Sequence, residues 1–139
     1  MKLVLDASTA LKWVLVEPDS DKAIRLRDDY RNAVHELIVP DSFSLECAHS
    51  LTKKQRQGLI PDAKALWGAI LLDSPVYFPI HPLMDRAVTI SVRNRHNVHD
   101  CLYVALAERE RCELVTADHK LINSLQRSFP FITSLASLP

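Results

Sequence analysis

Four acids stand where the hydrophobic pattern would bring charge next to a core. Asp6 follows the apolar run Leu3–Leu5 in VLDAST, and Asp118 follows Leu114–Thr116 in LVTADHKL, so each sits just past a short buried strand. Glu46, in FSLECAHSL, lies three residues after Phe43 and beside Cys47, which sends its carboxylate out on the side of the apolar stripe. Asp100 opens HDCLYVALA, the most apolar helical stretch of the chain. Each acid alone has an ordinary use: an Asx-turn for Asp6, a helix cap worth about 1 kcal/mol for Asp118, a side chain reaching water for Glu46, and a first-turn acid offsetting the helix dipole for Asp100. Taken together they would meet at one end of a parallel sheet, where like charges cannot all ionise without raised pKa values or a cation among them. Carboxylate and hydroxyl oxygens suit a hard divalent ion such as Mg2+ or Mn2+, and a phosphodiester is the natural substrate.

The elements that must position these acids follow from periodicity. Residues 2–5 read as a strand and Ala7–Val16 as a helix; a second helix follows Pro18, with Ala23, Ile24, Leu26 and Tyr30 facing a core. Leu37–Val39 is the next strand, Asp41–Gln57 a helix ending near Gly58, and Pro61–Asp73 another. Val76–Ile80 reads as an edge strand because Pro79 lies near its end. Helices from Pro82 to about Arg95 and from His99 to Arg109 precede the strand Leu114–Thr116; Asp118 caps a further helix, and Phe131–Thr133 is a short last strand. The apolar character of 99–109 all round predicts burial. Strands alternating with helices, without hairpin turns, predict a three-layer α/β/α fold around a mostly parallel sheet of four or five strands, with residues 1–139 as a single domain.

Composition narrows the function. The 139 residues carry 17 Lys and Arg against 17 Asp and Glu, so no global field draws the chain to nucleic acid, and phosphate contacts must be local. With only Gly58 and Gly68, neither a P-loop nor a G-x-G-x-x-G turn is present. Cys47, Cys101 and Cys112 make no C-x-x-C pair, which predicts free thiols and a cytoplasmic setting. The longest apolar run, Cys101–Ala107, falls far short of the roughly 20 residues of a membrane span, and no signal peptide is expected.

VLDAST, PDSFSLECAHSL, VHDCLYVALAE and LVTADHKL resemble, in order and spacing, the signature blocks of PIN domains, closest to toxin ribonucleases of the VapC type. The resemblance spans essentially the whole chain. It implies a PIN-like fold and places Asp6, Glu46, Asp100 and Asp118 on the family's acidic quartet, which holds one or two Mg2+ or Mn2+ ions, with Ser8 and Thr116 on supporting hydroxyl positions. It implies a metal-dependent endoribonuclease that cleaves single-stranded RNA by metal-activated water, leaving 5′-phosphate and 3′-hydroxyl ends. It also implies a homodimer kept inactive by a cognate antitoxin. The chain departs from the family pattern around the third acid, where His99 and Cys101 flank Asp100.

Local bases that would meet RNA are Lys53 and Lys54, which close the Glu46 helix with Arg56, and Arg93, Arg95, His96 and His99 ahead of Asp100. The apolar groups of 59–71, Trp67, Ile70 and Leu71 among them, are expected to line the antitoxin or dimer face, with Trp13 as a further candidate. The alternative readings are a catalytically silent PIN domain that binds RNA or protein and a metal-dependent phosphatase. A phosphatase of the haloacid dehalogenase type needs D-x-D, and position 8 is Ser8.

Overall fold

A computed structural model of residues 1–139 shows a five-stranded sheet in the order β3-β2-β1-β4-β5, flanked by helices. The strands are β1 (Lys2–Leu5), β2 (Glu36–Pro40), β3 (Val76–Phe78), β4 (Glu113–Thr116) and β5 (Ile132–Ser134). Every neighbouring pair is parallel, so the sheet is wholly rather than mostly parallel. Both faces of such a sheet must be covered, and Leu3–Leu5, Leu37–Val39 and Leu114–Val115 are accordingly buried. β3 is an edge strand, with Pro79 just beyond it where no partner needs its missing N–H.

The helices are α1 (Ala7–Leu11), α2 (Ser20–Arg31), α3 (Phe43–Arg56), α4 (Ala63–Leu71), α5 (Met84–Asn94), α6 (Val98–Glu110) and α7 (His119–Leu125). None is long and apolar enough to cross a membrane. α6 is buried continuously from Cys101 to Ala107, packs on β1 and β2, and lies alongside α5. The chain steps from β1 outward to β2 and β3, then returns to β4 on the other side of β1. The crossover direction therefore reverses between β1 and β4, and their carboxyl ends frame the crevice where ligands bind in folds of this kind.

Three expectations are corrected by packing. The first helix stops at Leu11 instead of reaching Val16, because the following turn is held by other bonds: Ser20 Oγ donates to the Leu15 carbonyl (2.9 Å) and accepts from Glu17 N–H (3.0 Å). The same turn buries Trp13, whose indole N–H donates to the Ala23 carbonyl (3.0 Å), so Trp13 belongs to the core and not to a partner surface. Ile70, also expected on that surface, is 1% exposed; the apolar groups that α4 and its flanks leave in solvent are Leu59, Leu71 and Leu72, with Trp67 half-buried.

Candidate functional site

Register sets the first part of the site. Leu5 pairs with Val115 across β1 and β4, which brings Asp6 beside Thr116. Asp6 is the N-cap of α1: its Oδ1 accepts from the Thr9 N–H (3.1 Å), Thr9 Oγ1 (3.1 Å) and Ser8 Oγ (2.7 Å). Its Oδ2 accepts from Thr116 Oγ1 at 2.5 Å. Thr116 Oγ1 in turn accepts from Asp118 N–H (3.0 Å), and Ser8 Oγ from Ala117 N–H (3.3 Å), so Asp6 and the Thr116–Asp118 segment form one network. The network contains only neutral donors. Burial therefore wins over hydrogen bonding and pushes the Asp6 carboxyl up to about 6.

Glu46 enters from the first turn of α3. Its Oε2 accepts from the Tyr103 hydroxyl (3.0 Å), while Oε1 is buried without a hydrogen-bond partner. Burial pushes this carboxyl up to about 7, opposed by the Tyr103 bond and reinforced by the charges of Asp100 and Asp6. Glu46 is therefore within electrostatic reach of both Asp100 and Asp6. Asp118 caps α7, accepting from Lys120 N–H (2.9 Å) and Leu121 N–H (3.4 Å) through Oδ1. Asp100 stands in the first turn of α6, with Oδ2 held by His96 Nε2 (2.6 Å) and Asn97 Nδ2 (3.0 Å).

The ordinary capping roles of Asp6 and Asp118 and their place at the site are thus the same geometry: a cap at a strand-to-helix turn uses one oxygen and aims the group beyond the sheet. No ion pair neutralises Asp6, Glu46 or Asp118. No His, Cys, Asp and Glu side chains stand grouped as a ready-made metal cage; each acid is turned to its own local donors. The donor set nevertheless fits a hard divalent ion. It offers oxygens only, carries an excess of negative charge, and includes a buried Glu46 oxygen whose lone pairs nothing in the protein satisfies.

A groove of about 750 Å³ opens beside Glu46, lined by Ser42, Leu45, His49, Met84 and His99 among others. His99, Arg93 and Arg95 are exposed near the N-terminus of α6. His96, expected beside them as an RNA contact, instead turns inward; its side chain is 6% exposed and bound to Asp100. Lys53 and Lys54 lie in the last turn of α3 and Glu46 in its first, about 10 Å apart along the axis, so they complement the dipole of α3 at its far end. Cys47 and Cys101 are small buried hydrophobes, their thiols pushed up by burial, Cys101 to about 11. Sequence reasoning missed Thr9, Asn97 and Tyr103. Thr9 and Asn97 stand three residues from Asp6 and Asp100 at helix starts, and a tyrosine on an all-buried helix needs a partner for its hydroxyl.

The sequence profile of the PIN domain matches residues 3–124. Ribonuclease VapC12 of Mycobacterium tuberculosis is 34% identical over 125 residues, covering 88% of this chain and 91% of that protein. Ribonuclease VapC3 of Pyrobaculum aerophilum is 32% identical over 127 residues, 87% of this chain and 92% of its own length. Among solved structures, PAE2754 from Pyrobaculum aerophilum superposes with a TM-score of 0.71 at 20% identity, covering 99% of this chain and 94% of that one. A toxin-antitoxin complex from Klebsiella pneumoniae includes a chain matching with a TM-score of 0.65 at 12% identity, over 96% and 97% of the two chains.

Proposed function

Because this chain belongs to the PIN domain family, with VapC ribonucleases as relatives over most of its length, we propose that it is a metal-dependent endoribonuclease acting on single-stranded RNA. Its acidic site is Asp6, Glu46, Asp100 and Asp118. The observation that carries this reading is Glu46: a half-buried carboxylate within electrostatic reach of Asp6 and Asp100, with one oxygen held by Tyr103 and the other buried without a partner. Asp6, Asp100 and Asp118 would hold Mg2+ or Mn2+. Such an ion supplies an activated water and offsets the charge that builds on the phosphate oxygens during in-line displacement.

The protein's own groups do the positioning. Ser8, Thr9 and Thr116 fix both oxygens of Asp6, so that carboxylate does not reorganise as substrate arrives. Tyr103 fixes Glu46 Oε2 and leaves Oε1 to orient the attacking water. Arg93, Arg95 and His99 stand exposed where the phosphates on either side of the cleaved bond would approach α6, and the groove beside Glu46 has room for an adjoining nucleotide. The expected products carry 5′-phosphate and 3′-hydroxyl ends.

The same reading takes residues 1–139 as one domain acting as a homodimer in the cytoplasm. Its VapC relatives support the role of toxin in a toxin–antitoxin pair, with a cognate antitoxin covering the exposed apolar groups around Trp67 and Leu71. The substrate class is tested by incubating the full-length protein and Mn2+ with one labelled RNA, alone and annealed to its complement. Cleavage of the single strand only is expected. Preference for the duplex, or binding without cleavage of either form, would contradict the reading, the latter in favour of a silent binding module.

Thr116→Val should separate support from fold. Valine keeps the shape and suits a strand, but the donor to Asp6 and the acceptor for Asp118 N–H are lost. We expect kcat to fall about 10–100-fold, in the range seen when a group supporting a metal ligand is removed. Stopped-time cleavage assays at saturating Mn2+, beside a melting curve showing a folded variant, measure it.

A further inference from the structure

We infer that His96 is a positioning residue for Asp100: together with Asn97 it occupies one carboxylate oxygen and so presents the other to the divalent ion. This rests on the proposed metal-dependent site. The geometry begins with the connection between α5 and α6, which consists of Arg95, His96 and Asn97 alone. Arg95 ends α5 in the left-handed conformation (φ 51°), a shape that costs a non-glycine residue and turns the chain sharply.

His96 is then tied at both ends of its backbone to the same residue. Its N–H donates to the Ser91 carbonyl (3.2 Å), and its carbonyl accepts from Ser91 Oγ (2.5 Å). With the backbone so fixed, the imidazole points inward with 6% of its surface exposed, and Nε2 reaches Asp100 Oδ2 at 2.6 Å. Asn97 completes the hold. Its Oδ1 accepts from the Asp100 N–H (2.9 Å) as the cap of α6, and its Nδ2 donates to the same Oδ2 (3.0 Å).

Both donors therefore converge on one oxygen, and every hydrogen bond to the Asp100 carboxylate is made through Oδ2. Oδ1 is left for a ligand. A carboxylate with one oxygen anchored has lost its rotational freedom before the ion arrives, and removal of such anchors from metal sites weakens binding about 10–100-fold. A capping role alone would need Asn97 but not His96, because the α6 cap is made by Asn97 Oδ1. His96 also lies outside the reach of RNA while its ring is buried against Asp100, which separates it from the exposed His99.

The test is a Mn2+ titration of the full-length protein followed by electron paramagnetic resonance, with wild type, His96→Leu and His96→Gln. Leucine removes the donor; glutamine keeps an N–H. His96→Leu should bind Mn2+ about 10–100-fold more weakly and regain most of its kcat when Mn2+ is raised to saturation, while His96→Gln recovers most of the affinity. Circular dichroism reports folding separately, and if the leucine variant does not fold, His96→Ala, which also removes the donor, is held to the same expectation. Unchanged Mn2+ affinity in a folded His96→Leu, or a glutamine variant as weak as leucine, would overturn the inference alone. So would nitrogen hyperfine coupling from His96 on the bound ion, since it would make His96 a ligand. A wild-type protein that binds no Mn2+ would overturn the metal site itself, and this inference with it.

Discussion

Asp6→Asn is expected to abolish RNA cleavage, lowering kcat by about 1,000-fold or more, which corresponds to about 4 kcal/mol of lost transition-state stabilisation. The fold should survive the change. Asparagine has the same shape, its Oδ1 still accepts from Thr9 N–H and Ser8, and Thr116 Oγ1 can accept from the new amide instead of donating. What is lost is the charge, at a position where every contact made by the protein is neutral. The opposite effect is expected on stability. Asp6 is raised to about 6, so above that pH the metal-free protein buries an unpaired carboxylate, and replacing it with an amide should raise the melting temperature in EDTA at pH 8. An inactive variant that is also more stable without metal is the signature of a group held for function at a cost in stability. Loss of activity accompanied by loss of fold would remove the support that this variant gives to the site.

Stability of the metal-free protein should fall as pH rises from about 4 to about 8. Asp6 and Glu46 both titrate higher in the folded protein, at about 6 and about 7 against ordinary values of 3.8 and 4.5, because burial disfavours their charged forms. The folded state therefore binds these protons more tightly than the unfolded chain. Their contribution is fully present below the unfolded pKa values and is lost as pH passes through the folded ones. Each group accounts for about 3 kcal/mol. His35, buried with neither ring nitrogen hydrogen-bonded and lowered by burial, works in the opposite sense and weakens the fold on acidification. A divalent ion among the acids reverses the first trend, because it compensates charges that exist only after deprotonation. Melting temperatures in EDTA and in Mn2+ at pH 5 and pH 8 should show a much larger metal-dependent rise at pH 8. An equal rise at both values would contradict the linkage.

Much of the proposed site can be read in the sequence because its acids interrupt apolar runs. An acid directly after Leu3–Leu5, and another just past Leu114–Thr116, has few places to go in a parallel sheet except the carboxyl ends of adjacent strands; strand order then supplied the crevice between β1 and β4. The edge position of β3 was readable from Pro79 for an equally local reason. Features set by a single tertiary bond were not readable. Trp13 looked like a surface aromatic on a long amphipathic helix until the Ala23 carbonyl accepted its indole N–H and the helix ended at Leu11. Ile70 and Leu71 are neighbours of similar character, and only the packing of α4 against α3 decides which is buried. His96 and Asp100 stand at helical spacing, yet His96 read as one more base in a cationic cluster, because the backbone ties to Ser91 that turn it inward leave no mark on composition.

In the proposed reaction, water attacks the phosphodiester at an acidic site that depends on a divalent ion. Its most direct test is the chemistry of the product ends when the purified full-length protein cleaves a single-stranded RNA in Mn2+ and in EDTA. The proposed reading predicts cleavage in Mn2+ only, with 5′-phosphate and 3′-hydroxyl ends. Cleavage that persists in EDTA would mean that no divalent ion is needed, and products carrying 2′,3′-cyclic phosphates would mean that the RNA's own hydroxyl is the nucleophile; under either result Asp6, Glu46, Asp100 and Asp118 do not do the work assigned to them.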